Sequence, residues 1–144
     1  MIKNFLFPKN TYSTSTSIAL LVLRIVFAGM LLTHGWSKLT NFEMTAQNFS
    51  AMGMGGSFVV GLVVFAEFFC ALGVIVGLLY RLALIPMIIN MFVAFFIVHE
   101  GKLTGENNGE LAFLYLAVFI VLMLTGSGKY AIDNFLSMKN KFCD

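Results

Sequence analysis

Charged side chains are what this sequence most lacks. They make up 11% of its 144 residues, against about 25% in soluble domains, which excludes a soluble globular fold. The net charge of +2 is too small for the basic footprint of a nucleic-acid-binding protein. Cysteine is scarce as well. Cys70 lies in an apolar run and Cys143 in a polar tail, so they form neither a CxxC nor a disulfide framework, and thiol–disulfide chemistry by this chain alone is not expected. There are two histidines and no HExxH or comparable metal-ligand spacing, so no metal site is expected. The length leaves room for one bundle and no separate soluble domain.

What the sequence has in abundance is apolar. Hydrophobic residues reach 59% and the mean hydropathy is +0.90. Four apolar runs stand out, at 18–36, 58–80, 82–98 and 110–126, the last two being the shortest. About 20 helical residues rising 1.5 Å each cross the ~30 Å hydrocarbon core. The expected fold is therefore an all-α membrane protein, a bundle of four transmembrane helices in one domain covering residues 1–144.

Between the runs lie the expected breaks. Phe5, Leu6 and Phe7 read as a short interfacial anchor ended by Pro8. A signal peptide is the competing reading of this N-terminus; Arg24 in the apolar core and the missing small-x-small cleavage site oppose it. Ser17 is the expected N-cap of the first span. The connection after Lys38 reads as loop or re-entrant turn around Met52–Gly56. Gly73 and Gly77 form a GxxxG suited to close helix approach, and Arg81 alone separates the second and third spans. Trp36 and Tyr80 are expected as interfacial anchors. Four spans put both termini on one side. Lys3, Lys9, Arg81, Lys129, Lys139 and Lys141 share that side, against Lys38 and Lys102 on the other. Six against two places both termini in the cytoplasm by the positive-inside rule.

Two polar constellations remain. Arg24 sits inside the first run, on a helical stripe with Ala28, Leu31, Gly35 and Lys38. An arginine facing lipid is costly, so it faces the bundle interior and needs a partner. Counting depth from the helix ends leaves Glu67 about 7 Å away, with Asn90 between them. The expectation is a buried polar centre of Arg24, Glu67 and Asn90, read either as a packing clasp or as a binding or proton-handling site. The second constellation gathers His34, Lys38, His99, Glu100 and Glu110 at the outer face, with His34, Lys38, His99 and Glu110 as the candidate ligand-binding residues. Histidines there are compatible with haem or metal ligation, but neither haem nor a metal is the expected cofactor. A polar headgroup or partner is the better candidate. Glu110 opens the fourth helix, where complementing the helix dipole would by itself explain it.

These residues also carry a resemblance. LRIVFAGMLLTHGWSKL at 23–39, Glu67, GLLYRLALIP at 77–86, His99, NGELAFLYLA at 108–117 and GSGKYAID at 126–133 together resemble the DoxX family of small four-helix membrane proteins. The family signature carries over to Arg24, His34, Gly35, Lys38, Glu67, His99, Gly109, Glu110 and Asp133. The resemblance implies a membrane subunit of a redox system in the bacterial cytoplasmic membrane. The family name comes from a subunit associated with a thiosulfate:quinone oxidoreductase, and other relatives are linked to oxidative and thiol stress and to quinone resistance.

The leading expectation is a quinone-linked membrane subunit that binds a quinone-like ligand through the buried polar centre or the outer His34, Lys38, His99 and Glu110 cluster. If it is an enzyme at all, it is one subunit of an oxidoreductase. The alternative is a non-catalytic membrane scaffold that recruits partner proteins. A small transporter or proton path through Arg24 and Glu67 ranks third, because four short helices leave little lumen. The expected partners are the lipid bilayer and, beyond it, other redox proteins or further copies of the chain.

Overall fold

A computed structural model describes residues 12–106 and 108–139. The Phe5–Pro8 anchor, Lys3, Lys9, Lys141 and Cys143 lie outside the described residues. Among the described residues six helices follow one another: α1 (Thr14–Thr40), α2 (Phe42–Ala51), α3 (Gly56–Val76), α4 (Tyr80–Val98), α5 (Glu110–Thr125) and α6 (Ile132–Lys139). No strand occurs among the described residues. Three helices, of 27, 21 and 19 residues, are long and apolar enough to cross a bilayer, and α5 is an apolar helix of 16.

Successive long helices run antiparallel. Glu67 of α3 meets Asn90 of α4, Tyr80 at the start of α4 bonds the Leu122 carbonyl near the end of α5, and Tyr12 before α1 bonds the Thr125 carbonyl. The bundle therefore has a terminal end, holding Tyr12, Val76, Tyr80 and Thr125, and a loop end, holding Thr40, His99 and Gly109.

Packing follows the sequence pattern. The stripe of α1 is buried as expected, from Ser17, Leu20, Arg24 and Ala28 to Leu31 and Gly35. It joins Cys70, Ala71 and Val74 of α3, Leu84, Met87 and Met91 of α4, and Tyr115, Phe119 and Leu122 of α5 in one core. Outward residues such as Val22, Leu62, Ile89 and Leu124 are more than half exposed, the arrangement of a bundle solvated by lipid. Gly35 permits a close crossing of α1 and α3: a Cβ there would stand 2.7 Å from the backbone carbonyl carbon of Glu67.

Four expectations need correction. The connection after Lys38 holds a helix, α2, because Phe42, Ala46 and Phe49 recur at helical spacing and pack on Val60 and Val64 of α3, while the turn expected around Met52–Gly56 stands at residues 52–55. The N-cap of α1 is Ser13, whose hydroxyl accepts from the Thr16 amide at 3.2 Å, while Ser17 is buried and donates to the Ser13 carbonyl. Tyr80 is no interfacial anchor, being 2% exposed. Gly77 ends α3 in the left-handed region (φ 77°), and a Cβ there would lie 2.6 Å from both Arg24 Nη2 and Ala131 Cβ. Gly77 thus serves the turn and its close approach to Arg24 and Ala131, not a crossing of two helices.

Candidate functional site

Arg24 is fully buried, and its partners are carbonyl groups. Nε donates to Val74 O at 3.0 Å, Nη2 to Ile75 O at 2.8 Å, and Nη1 to Ser127 O at 2.8 Å and Tyr130 O at 3.1 Å. The guanidinium lies 5.2 Å from the centre of the Tyr80 ring. The last carbonyls of a helix have no intrahelical partner and carry the negative end of its dipole, so the end of α3 is a natural seat for a cation. Across the same turn, the first amides of α4 have the opposite need. Asp133 meets it: its two carboxylate oxygens accept from Leu79 N at 2.9 Å and Tyr80 N at 2.8 Å. Its own amide donates to Gly77 O at 3.0 Å. Leu79 adopts a positive φ of 46°, a conformation costly for a leucine and held here by the Asp133 bond.

The expected Arg24–Glu67–Asn90 centre therefore splits in two. Val74 lies seven residues beyond Glu67, about 10 Å along the helix axis, so Arg24 and Glu67 sit at different depths. The depth count went astray because residues 127–130 fold back alongside α1 and supply carbonyls, which no apolar-run count reveals. Glu67 is paired instead with Lys38, whose Nζ lies 2.6 Å from Oε1 and 2.5 Å from Oε2. Asn90 Nδ2 donates to Oε1 at 2.9 Å, so that half of the expectation holds. The Glu67 side chain is 4% exposed and that of Lys38 28%. Lys38 thus reaches inward from the loop end of α1 to neutralise a carboxylate that burial would otherwise penalise heavily.

Two cavities meet at this pair, and Lys38, Glu67, Ala94 and His99 line both. The first, of about 370 Å³, continues between Phe49, Val59, Val63, Val93 and Ile97 and is almost wholly apolar. The second, of about 360 Å³, continues between Leu31, His34, Met91, Asn108, Ala112 and Tyr115. His34, Lys38 and His99 of the outer cluster are therefore brought to one cavity. Glu110 is not: it is exposed at the first turn of α5 and lines neither cavity, which leaves it the role of complementing the helix dipole. Gly109 packs so closely on α4 that a Cβ would stand 2.7 Å from His99 Cβ, fixing the histidine's backbone against the start of α5. No group of three potential metal ligands occurs among the described residues.

Sequence reasoning missed two features. The long helices contain π-helical segments at Arg24–Ala28, Phe65–Cys70 and Ala94–Val98. One begins at Arg24, one contains Glu67 and one ends beside His99. Such widened turns concentrate at functional sites, but apolar composition gives no sign of them. The second feature is Tyr115. It falls within the NGELAFLYLA stretch, and its spacing of four from Phe119 marks an inward face, yet nothing in that spacing signals a polar role.

The DoxX family model matches residues 19–100. The chain is 32% identical over 126 residues to "Inner membrane protein YqjF" of Escherichia coli, covering 85% of this chain and 95% of that protein. It is 33% identical over 129 residues to a Bacillus subtilis protein named "Putative oxidoreductase CatD", covering 85% and 90%. It is 35% identical over 119 residues to an uncharacterized protein of Haemophilus influenzae, covering 78% and 86%. No solved structure matches it.

Proposed function

This chain belongs to the DoxX family, as a multi-pass protein of the bacterial inner membrane, and from that premise we propose that it is the membrane subunit of a quinone-linked redox system. In this reading α1, α3, α4 and α5 all span, and both termini are cytoplasmic. Lys38 and Lys102 then lie outside, while Arg81, Lys129 and Lys139 lie inside, as the positive-inside rule requires. The loop end faces outward and the two cavities open near the outer leaflet.

One observation carries the reading. A nearly buried carboxylate, neutralised by Lys38 and held by Asn90, forms the common wall of two cavities. Their sizes fall at the lower end of the range for ligand pockets, which are mostly apolar with a few fixed polar groups. A quinone accepts electrons and protons reversibly when bound. The residues present suit such a ligand: the apolar cavity accommodates a hydrocarbon tail, and the polar one offers donors to ring oxygens. His34 and His99 line the polar cavity, and a histidine exchanges protons near neutral pH. Lys38 keeps one N–H beyond the two directed at Glu67, a donor for a ring oxygen. The Bacillus subtilis relative's name points to oxidoreductase chemistry. The proton path through Arg24 and Glu67 loses its basis, since Arg24 is occupied by carbonyls at another depth.

The test is quinone content. Wild type purified in mild detergent should retain extractable quinone, and His34→Ala and His99→Ala should each retain severalfold less while keeping the wild-type elution volume. Equal quinone in all three, or none in any, removes the site and favours the partner-recruiting scaffold.

A further inference from the structure

The polar cavity is lined by a hydroxyl without a hydrogen-bond partner and by an ammonium with one N–H beyond its ion pair. Tyr115 is 2% exposed, and its hydroxyl is buried without a hydrogen-bond partner. Its ring is fixed edge-on to Phe27 at 5.9 Å and stacked on Phe119 at 5.7 Å, which restrains the hydroxyl from swinging away to find one. A buried hydroxyl left unmatched is destabilising, and native proteins rarely retain one. The second donor is on Lys38. An ammonium has three N–H groups, and two are directed at the oxygens of Glu67. Tyr115 and Lys38 line the same cavity of about 360 Å³.

From this bookkeeping we infer that the Tyr115 hydroxyl and the third N–H of Lys38 form a two-donor seat for the carbonyl oxygen of a neutral ligand in the cavity between α1, α4 and α5. The inference rests on the reading above that this cavity takes a small ligand, and it adds the ligand's chemical class and the residue that selects it. The Lys38 ammonium can only donate and the Tyr115 hydroxyl can donate beside it, so a ligand atom that engages both is an acceptor. Glu67 already neutralises Lys38 and lies in the same cavity wall, so a second anion would meet a buried carboxylate with no cation left to offset it. A neutral carbonyl meets no such penalty. The apolar cavity on the far side of the Lys38–Glu67 pair suits an alkyl chain, which makes the ligand an amphiphile with a carbonyl head.

The experiment measures binding of a decyl-substituted benzoquinone and of decanoate, by equilibrium dialysis and by thermal shift, to detergent-purified wild type and Tyr115→Phe. Wild type should bind the quinone and raise its melting temperature, with decanoate at least tenfold weaker. Tyr115→Phe keeps the ring and should bind the quinone about tenfold more weakly, the usual scale for one buried hydrogen bond. Without ligand, its melting temperature should equal or exceed that of wild type, because the change removes an unmatched hydroxyl. A lower melting temperature for ligand-free Tyr115→Phe would show that the hydroxyl has a structural partner and overturn the inference. Equal quinone affinity in the two proteins would overturn it while leaving the cavity reading intact. Preference for decanoate would overturn the neutral class, and no quinone binding by wild type would sink both readings.

Discussion

The two ends of the bundle each hold a buried charge, and they treat it differently. At the terminal end, Arg24 places four hydrogen bonds on carbonyls and rests against the Tyr80 ring. Asp133 receives both amides it can reach across the α3–α4 turn. At the loop end, Glu67 and Lys38 are paired, but the pair borders two cavities, and the tyrosine beside it has no partner. A charge whose groups are nearly all used by the chain itself holds the fold together. A charge surrounded by space and spare donors is arranged for something else. Burial alone does not separate the two cases; the count of unmet donors does.

The largest effect that would break this comparison is at Arg24. Arg24→Met should strand the Val74, Ile75, Ser127 and Tyr130 carbonyls and leave Asp133 without its nearby cation. Each unsatisfied buried group costs about 1–3 kcal/mol, so a total loss of at least ~3–5 kcal/mol is expected. The outcome is poor recovery of monodisperse protein and a sharply lowered melting temperature in detergent. A nearly unchanged melting temperature would mean that the terminal end is no clamp, and the distinction between the ends would collapse.

A smaller effect sharpens the contrast at the loop end. Glu67→Gln and Lys38→Gln should couple in a double-mutant cycle by about 1 kcal/mol, a modest figure because Lys38 is partly exposed and screened. Arg24→Lys combined with Glu67→Gln should instead be additive within ~0.5 kcal/mol, as for sites that share no partners. Strong coupling in that second cycle would restore the single polar centre that the sequence suggests.

That mistaken centre shows where the sequence is legible and where it is not. The apolar runs and the inward stripe of α1 follow from periodicity, because burial in a helical bundle repeats every three or four residues, and the placement of Glu67 beside Asn90 follows from their similar depth along antiparallel helices. The gathering of His34, Lys38 and His99 also follows, because all three lie in the last turns of a helix or just after it at the same end of the bundle. Arg24's partners were hidden because they are backbone carbonyls, which every residue carries. The turn that presents them depends on Gly77 at positive φ and on a returning segment around Ser127. Asp133 was visible as part of a motif, but its task, capping a helix more than fifty residues earlier, is a tertiary fact. Glu110 shows the converse: helix position predicts its exposed dipole role, and proximity in sequence to the cluster does not bring it into the cavity.

The smallest expected effect lies at the rim of the loop end, in the turn after α4. Glu100 has a positive φ of 51°, and its carboxylate is held by Lys102 at 2.5 Å, with both side chains largely exposed. The hydrogen bond from Lys102, then its charge, lowers the carboxyl's pKa below the ordinary value. A depressed carboxyl pKa contributes stability that is present above the unfolded-state pKa and fades as pH falls through the folded-state value. Exposure to solvent screens this contribution, so acidification from neutral pH should reveal no unfolding step that depends on Glu100. Glu100→Asn tests the point directly: it discards the ion pair but supplies a residue that tolerates positive φ. The melting temperature at neutral pH should be unchanged or slightly raised, and the variant's profile between neutral and acidic pH should overlay that of wild type. A marked fall at neutral pH, lost on acidification of wild type, would show that the Glu100–Lys102 pair clamps the loop above His99. The loop end would then be as tightly tied by its own chain as the terminal end.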